Sequence, residues 1–276
     1  MKTVCLHEKG LIEGFLRRNP FLHLYSLGDL DERFWPATTW YARADGDRIH
    51  AIALVYSGLS VPTLLAIGDE HSSELPELVR SILHLLPRRF YAHLSPGAPA
   101  VLAEQYALES RGLHHKMALA DPGRLGGEAE EDVFALSPSD ANEVLEFYDR
   151  SHPGNWFEPQ MLETNAYYGR RIDGRIVSVA GVHVVSPTYR VAALGNIVTH
   201  PAHRGQGHAR AVTGALCRNL LRIVDHVGLN VKADNAPALR CYRALGFEVC
   251  ASYEEAMAEP REARQTSSPQ GYSHEF

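Results

Sequence analysis

Residues 195–221, GNIVTHPAHRGQGHARAVTGALCRNLL, decide which fold the sequence predicts. They have the pattern of a strand end, a glycine-rich basic turn and a long helix. Gly205 and Gly207 let the backbone of the turn approach a ligand closely. The first N–H groups of a helix lack partners and the helix dipole adds partial positive charge there, so the turn predicts a cradle for phosphate oxygens. Arg204 and Arg210 flank this cradle with fixed positive charge.

Three phosphate-binding patterns can be compared with this turn. A P-loop ends in Gly-Lys-Ser or Gly-Lys-Thr, and the turn has no such ending. A Rossmann fingerprint needs three glycines and an acidic residue about 20 residues further on, at a strand end. Asp225 lies near that distance, but it does not follow a recognisable second strand. The third pattern, Arg-x-x-Gly-x-Ala at residues 204–209, resembles the pyrophosphate-binding motif of the GNAT acyltransferase superfamily, whose members bind acetyl-CoA.

A second stretch extends the resemblance, although a glycine-rich turn alone also suits a structural connector. Residues 226–249, HVGLNVKADNAPALRCYRALGFEV, predict a buried strand, then Asp234-Asn235, then a short helix that ends at Gly246-Phe247. This order is similar to the last part of the GNAT core, and it follows the first motif at the expected distance. The resemblance implies an α/β fold with a central, mostly antiparallel mixed sheet flanked by helices.

The resemblance also implies acyl transfer with acetyl-CoA as the cosubstrate. In GNAT proteins the strand before the turn pairs with the pantetheine arm, and a backbone N–H, here that of Val198, polarises the thioester carbonyl. Tyr242 matches the tyrosine that protonates the departing thiolate, since a phenol with a pKa of about 10 is protonated at neutral pH. The residues that the resemblance assigns to the coenzyme are Ile197, Val198, Thr199, Arg204, Gly205, Gln206, Gly207, His208, Ala209, Arg210, Asn235 and Ala238.

Two of these side chains also fit a structural role. Asn235 and Tyr242 are two helical turns apart and so share a helix face. Asn235 suits the cap of its helix, with Pro237 in the first turn where its missing N–H does no harm. Tyr242 would equally suit a half-buried position in the core.

The motif does not fix the base that takes a proton from the amine. Candidates are His183 in the middle of a central strand, Asn196 as the holder of a water molecule, and Glu163 near the acceptor-side loops. His183 stands between apolar residues, so a core histidine is the alternative. Four aromatic residues fit either the walls of the acceptor pocket or packing between the two halves of the chain: Trp156, Phe157, Tyr167 and Tyr168.

The sequence contains an internal repeat. WYARADGDRI at residues 40–49 resembles YYGRRIDGRI at residues 167–176, and Arg111-Gly112-Leu113 echoes Leu245-Gly246-Phe247. Two hairpins that share an aromatic pair and Asp-Gly by chance are the alternative. We expect a duplication with a boundary in a glycine-rich linker. The expected domains are 1–126, a degenerate GNAT-like copy, 127–258, the catalytic copy, and 259–276, a flexible tail.

The first copy differs from the second in its strand-to-helix turn. Residues 67–73 read IGDEHSS, with one glycine, no arginine and two acids. Two carboxylates would repel a pyrophosphate, at a cost of several kcal/mol at short range and reduced dielectric. We therefore expect only the second copy to bind coenzyme A, as in tandem GNAT proteins with a degenerate N-terminal copy.

Hydrophobic periodicity predicts the remaining elements. Residues 5–30 predict helices interrupted at Asn19-Pro20. From Glu254 onward the apolar spacing is lost, which predicts poor order at the C-terminal end. Strands are expected at 38–44, 49–56, 61–67, 89–94, 113–119, 132–136, 166–171, 175–185 and 189–199, and helices at 74–86, 98–106 and 138–150.

Composition argues against several classes of protein. The chain has 276 residues, 45% hydrophobic and 22% charged, with a net charge of −6, which fits a globular protein without a nucleic-acid-binding face. It has no apolar run long enough to cross a membrane, and its start, MKTVCLHEKG, lacks the apolar core of a signal peptide, so we expect the cytoplasm. The four cysteines form no paired motif, and the histidines match no common metal-site spacing.

The sequence therefore predicts an acetyl-CoA-dependent N-acetyltransferase that acts on a small-molecule amine, as a monomer or homodimer. One alternative is acyl transfer from another acyl-CoA or to another acceptor, and the acidic balance speaks against tRNA. The other is a CoA-binding module without turnover. Tyr242 and the intact turn speak against it, since a module without turnover needs neither.

Overall fold

The computed structural model describes residues 1–69, 71–127 and 132–261, and the first two ranges form the first half of the fold. A short strand and two helices precede an antiparallel meander, and a helix then leads to a parallel strand. The elements are β1 Lys2–Leu6, α1 Lys9–Leu16, α2 Leu24–Gly28, β2 Thr38–Asp45, β3 Arg48–Tyr56, β4 Thr63–Ala66, α3 Glu74–Ile82, β5 Phe90–Leu94, α4 Ala98–Leu102 and β6 Tyr106–Leu119.

The second half repeats this order with longer central strands, except that the 3₁₀ segment Pro159–Thr164 stands in place of a second helix. Its first helix begins behind a capping box between Ser137 and Asp140. The elements are β7 Val133–Ala135, α5 Ala141–Ser151, β8 Tyr168–Ile172, β9 Arg175–Ser186, β10 Val191–Thr199, α6 His208–Leu220, β11 His226–Lys232, α7 Ala236–Ala244 and β12 Phe247–Pro260.

These strands form one mixed sheet whose order is symmetric. The order is β1-β2-β3-β4-β5-β12-β6-β11-β10-β9-β8-β7. When β1 is matched with β7, β2 with β8 and so on, the order is the same from either end. In each half the first four strands pair antiparallel, and the fourth and fifth pair parallel. The predicted fold class, a mostly antiparallel mixed sheet flanked by helices in each half, is confirmed, and the two halves join into one continuous sheet.

The two halves exchange their last strands. β12, from the second half, lies between β5 and β6, while β6, from the first half, lies between β12 and β11. β6 and β12 pair antiparallel from Phe247 opposite Leu119 to Pro260 opposite Tyr106. Each half therefore completes the sheet of the other.

The exchanged strand β12 corrects the prediction for the C-terminal end. The sequence predicts poor order from about residue 260 and a flexible tail from residue 259, whereas β12 continues to Pro260. Glu254–Ala258 pair with β5 of the first half. Because that partner is remote in sequence, local apolar spacing does not reveal the strand. The remainder of the predicted tail, residues 262–276, lies outside the described residues.

The N-terminal segment also differs from its prediction. Residues 5–30 predict helices, but Lys2–Leu6 is a strand that pairs with β2. Its side chains are mostly exposed, so it carries no clear apolar alternation. Ile12 and Leu16 lie at helical spacing in α1 and are fully buried, as the pattern predicts.

The repeated hairpins occupy matching places in the two halves. Trp40 begins the first repeat and Tyr167 the second, and both side chains are almost fully buried. Each hairpin also has a register shift a few residues later, after Arg43 and after Arg170.

The predicted correspondence between residues 111–113 and 245–247 is wrong. Arg111-Gly112-Leu113 lies inside β6, whereas Leu245-Gly246 lies in the turn before β12. The residue that matches Phe247 is Tyr106, since each is the buried first residue of its exchanged strand. Gly112 has φ 95°, in the left-handed region that favours glycine. Gly112 and Gly246 therefore share a backbone conformation, although only Gly246 lies in a turn.

Helices cover both faces of the sheet. Leu229 of β11 packs in the same cluster as residues of α6 and α7. A Cβ on its neighbour Gly228 would lie 2.2 Å from a methyl of Leu24, which belongs to α2. Since successive strand residues point to opposite faces, α2 of the first half covers the second half on the face opposite α6 and α7. Within the described ranges, the structure has no helix that is both long and apolar enough to span a membrane.

Candidate active site

The second half contains a split between two parallel strands. β10 pairs with β11 only from Val191 opposite His226 to Leu194 opposite Leu229. From Gly195 onward β10 stays with β9, and the register shifts between Gly195 and Val198. Asn196 lies in this bulge with φ 54°, and its carbonyl accepts a 2.6 Å hydrogen bond from the Tyr148 hydroxyl. The backbone of residues 195–199 therefore opens away from β11, with Ile197, Val198 and Thr199 half-buried along the split.

The glycine-rich turn continues from the split to the start of α6. Gly205 has φ 77° and Gly207 has φ 86°, both in the region that favours glycine. Helix α6 begins at His208, and its first turn has no acidic residue. The N–H groups of residues 205–207 donate to no group in the described part of the chain. The Arg204 guanidinium donates to the carbonyl of Thr199 at 3.2 Å, which fixes the turn against the strand.

A groove extends from this helix start across the linker. It has a volume of about 320 Å³ and is lined by Gly126, Gly127, Gly207, Arg210 and Arg218, among others. Arg218 donates to the carbonyl of Leu125 at 2.8 Å, so the linker is held against α6. The groove has two arginines and a glycine-rich floor, which suits an anionic ligand that lies across the N-terminal end of α6.

Helix α7 brings Asn235 and Tyr242 to the other side of the split. The Asn235 side chain accepts a hydrogen bond from the Ala238 N–H at 3.2 Å, so the predicted cap is present. Tyr242 is buried, yet its hydroxyl makes no hydrogen bond with any residue that the structure describes. Burial raises the pKa of Tyr242 above its usual value, so this phenol keeps its proton at neutral pH.

His183 lies beside the split on the face opposite α6. A Cβ on Gly195 would lie 2.3 Å from its ring, so the ring covers the backbone where the strands separate. The Tyr25 hydroxyl of α2 lies 3.3 Å from His183 Nδ1. His183 remains exposed to water on one side. Desolvation by the groups packed around its ring lowers the pKa of His183, and a hydrogen bond with Asn196 opposes part of the shift, so the imidazole is neutral at pH 7.

Asn196 connects the cleft to the second-half core. Its amide donates to the Tyr167 hydroxyl at 2.9 Å, and that hydroxyl donates to the carbonyl of Val182 at 3.0 Å. The Tyr167 ring fills the space over Gly181, where a Cβ would lie 2.0 Å from it. Asn196 therefore holds the bulge and His183 in place.

The other predicted acceptor-side residues separate into two groups. Phe157 and Tyr167 belong to the buried second-half core, and Tyr168 packs against it. Trp156 is 58% exposed, and its ring lies 6.4 Å from that of Tyr91 on β5, so it reaches across to the first half. Glu163 is exposed in the 3₁₀ segment Pro159–Thr164.

Sequence reasoning missed a polar cluster on the same face, at the exchanged strands. Glu255 of β12 accepts hydrogen bonds from the hydroxyls of Tyr91 and Tyr253, and the Nε2 atoms of His93 and His114 lie 3.7 and 3.5 Å from its oxygens. Burial acts to raise the pKa of Glu255, but His93, His114 and the two tyrosine hydroxyls outweigh it and hold that pKa below its usual value. Alternation in His114-x-Lys116 and Tyr253-x-Glu255 is a signal that could have revealed it, since period two places these side chains on one face.

Comparison with known sequences identifies the second half. Residues 132–247 match the model of the acetyltransferase (GNAT) family. An uncharacterised protein of Mycobacterium leprae is 29% identical over 134 residues, which cover 42% of this chain and 34% of that protein. The chain therefore spans about a third of the length of this relative.

Solved structures share the fold of both halves together. A Drosophila protein superposes with a TM-score of 0.68 at 12% identity over 94% of this chain and 98% of its own. A GCN5-related N-acetyltransferase from Sphaerobacter thermophilus gives 0.57 at 15% identity over 97% and 98%. A tandem GNAT protein from the clavulanic acid biosynthesis pathway gives 0.54 at 18% identity over 95% and 99%.

The fold and the family match support acyl transfer in general. A sheet that opens beside a glycine-rich helix start, with the family model across it, is a GNAT domain. Residues 132–247 of the chain match the GNAT acetyltransferase family, and its duplicated sheet has the fold of a tandem GNAT protein.

Proposed function

We propose that the chain is an acetyl-CoA-dependent N-acetyltransferase that acts on a small-molecule amine. The observation that carries the proposal is the split between β10 and β11, which runs directly into the turn at residues 204–209. The N–H groups of residues 205–207, which have no partner in the described part of the chain, and the exposed Arg204 and Arg210 suit the pyrophosphate of coenzyme A. The open backbone of residues 197–199 suits the pantetheine arm as an added strand, with the Val198 N–H as the donor to the thioester carbonyl.

His183 is the base that we favour for the amine. Its ring lies over Gly195 at the open end of the split, and desolvation by the neighbouring groups lowers its pKa, so the ring is neutral at pH 7. A neutral imidazole accepts a proton from the substrate ammonium, which leaves a free amine to attack the thioester carbonyl. The Tyr25 hydroxyl lies 3.3 Å from Nδ1 of the ring, which orients His183 before the amine arrives.

Tyr242 completes the proton balance. As the new C–N bond forms and the C–S bond breaks, the phenol donates its proton to the departing thiolate. The nitrogen loses its second proton as the amide forms, and this proton restores the phenol through solvent, while the proton that His183 has taken is released to solvent. The hydroxyl of Tyr242 has no hydrogen-bond partner among the described residues, which leaves it available for the sulfur.

We propose that the first half does not bind coenzyme A. Its parallel strands β4 and β5 remain paired to their ends, and the pairing continues as the Ser95 N–H donates to Ala66 at 2.9 Å. Ser95 Oγ also lies 3.1 Å from both the N–H and the carbonyl of Gly68. No gap remains there for a pantetheine arm, and the first turn of α3 is acidic with Glu74 and Glu77.

Calorimetric titration of acetyl-CoA tests the proposal. We expect one site per chain in the wild type and loss of binding in Arg204→Glu/Gly207→Val. Arg222→Glu, an exposed arginine beyond the other end of α6, is the matched control and should bind as the wild type does. Absence of binding in the wild type, or equal loss in the control, would contradict a coenzyme site at this turn.

A further inference from the structure

Lys116 is a buried cation that the acyl-transfer scheme above does not use. Only 4% of the surface of Lys116 is exposed to solvent. Among the described residues, no carboxylate lies within salt-bridge distance of its ammonium. Its neighbours are aromatic, since Nζ lies 5.3 Å from the ring centroid of Tyr25 and 5.2 Å from that of Tyr253. A buried charge without a counter-ion is unfavourable, and two ring faces compensate only part of that cost.

The nearest acid does not neutralise Lys116. Glu255 already accepts from two tyrosine hydroxyls and lies near two histidines. Burial lowers the pKa of Lys116 to about 8, while Cys250 and Glu255 act in the opposite direction. The ammonium thus remains mostly protonated at pH 7 and available to a negative group from outside the chain.

Lys116 lies next to the open end of the split. On the sheet it stands opposite Asn230 of β11, one residue beyond the last pair between β10 and β11. Through the Tyr25 ring it is also next to His183, because the Tyr25 hydroxyl lies 3.3 Å from Nδ1 of that histidine. One tyrosine side chain therefore spans the distance between the proposed base and the unpaired ammonium.

We propose that Lys116 binds a carboxylate of the acceptor, so that the acceptor is an amino acid whose amine and carboxylate are only a few bonds apart. This inference rests on the proposed N-acetyltransferase function. His183 receives the amine and Lys116 receives the carboxylate, which fixes the orientation of the nucleophile. A carboxylate suits a single ammonium better than a phosphate does, because a dianion would leave excess negative charge in a buried site. Two of the residues around this subsite, Tyr25 and Lys116, come from the first half.

Acceptor selectivity tests the proposal. The probes are the common L-amino acids and glycine, each compared with its amide, in a thiol-release assay with acetyl-CoA. We expect the wild type to prefer the acid over the amide by about 10- to 100-fold in kcat/KM, as a charge-assisted hydrogen bond provides. In Lys116→Met, kcat/KM should fall for the acids and stay unchanged for the amides, so that the preference is lost. Lys116→Arg should keep part of the preference. Lys232→Met, a change at an exposed lysine on β11, should keep all of it.

Three results would overturn the proposal. The first is an equal kcat/KM of the wild type for acids and amides. The second is an equal loss of kcat/KM for both in Lys116→Met. The third is acetylation of Lys116 itself by acetyl-CoA, detected by peptide mass spectrometry. If no probe is acetylated, N-acetyl amino acids and their amides are titrated into the CoA-saturated protein by calorimetry, and failure of every acid to bind in preference to its amide also overturns it. Acetyl-CoA binding, measured in each variant, separates these outcomes from failure of the proposed function, which would remove coenzyme binding from the wild type.

Discussion

The two halves of the sheet place the same elements in the same order, but they treat the parallel strand pair differently. In the first half β4 and β5 stay together, and Ser95 closes their end against Gly68. In the second half β10 leaves β11 after Leu194 and bends at Asn196. A small change in pairing at one point therefore separates a closed sheet from one with a gap for a ligand.

The helix that follows each pair differs in charge. Helix α3 starts with Glu74, which forms a salt bridge with Arg43, and it has Glu77 in the same turn. Helix α6 starts after two glycines with positive φ and has no acid in its first turn. Because acidic side chains already occupy the positive end of α3, only α6 offers that end to an anionic ligand. Topology alone does not make the site; local pairing and charge do.

The largest effect is expected at the phenol of the second half. Tyr242→Phe should reduce kcat by about 100- to 1,000-fold and leave the affinity for acetyl-CoA nearly unchanged, because only proton donation to the thiolate is lost. The measurement is steady-state thiol release together with calorimetry. Tyr41→Phe, a half-buried tyrosine of the first half, is the control. A wild-type kcat in Tyr242→Phe would remove this residue from the mechanism.

A smaller effect is expected where the strands separate. Gly195→Ala places a methyl 2.3 Å from the His183 ring, which must move away. We expect kcat to fall by about tenfold or more, as a displaced base transfers protons poorly. Gly14→Ala is the matched control, since a Cβ at that position of α1 meets no atom within 4 Å. If kcat is unchanged although the ring is displaced, His183 is not the base.

At the exchanged strands β6 and β12, the expected effect of a substitution is on the free energy of unfolding. Lys116→Met should raise the free energy of unfolding at pH 7, by at most about 3 kcal/mol, because it removes a buried charge whose pKa is about 8 instead of 10.5. In the wild type the folded state loses this proton near pH 8 and the unfolded state keeps it until pH 10.5, so this group makes stability increase with pH across that interval. Urea unfolding of both proteins at pH 7 and pH 10 measures the difference. If Lys116→Met is less stable than the wild type at pH 7, contacts within the fold already offset the cost of burying the ammonium, and the prediction is wrong.

The smallest effect is expected at the closed end of the first half. Ser95→Ala removes two hydrogen bonds to Gly68 and should lower the free energy of unfolding by about 1 kcal/mol. Coenzyme affinity should stay at the wild-type value, because this strand end lies in the half without the split. Chemical denaturation and calorimetry measure the two quantities. A change in acetyl-CoA affinity would show that the first half takes part in coenzyme binding.

The sequence predicts the parts of this protein that depend on neighbours along the chain. The glycine-rich turn, the α6 and α7 helices and the Asp-Gly hairpin are local patterns, and the structure has all of them. β1 was missed because its side chains are mostly exposed, and the end of β12 because its pairing partner β5 is remote in sequence. The proximity of Lys116 and Glu255 could not be predicted for the same reason, because their strands are remote in sequence and become neighbours only through the exchange.

The most direct test of the account is a crystal structure of the wild type with acetyl-CoA. We predict one coenzyme per chain, with the pyrophosphate at the N–H groups of residues 205–208 and the pantetheine between β10 and β11, so that the thioester lies near Tyr242 and His183. A coenzyme bound between β4 and β5, or one that leaves the split between β10 and β11 empty, would contradict the central claim that this split is what makes the second half the acyl-transfer site.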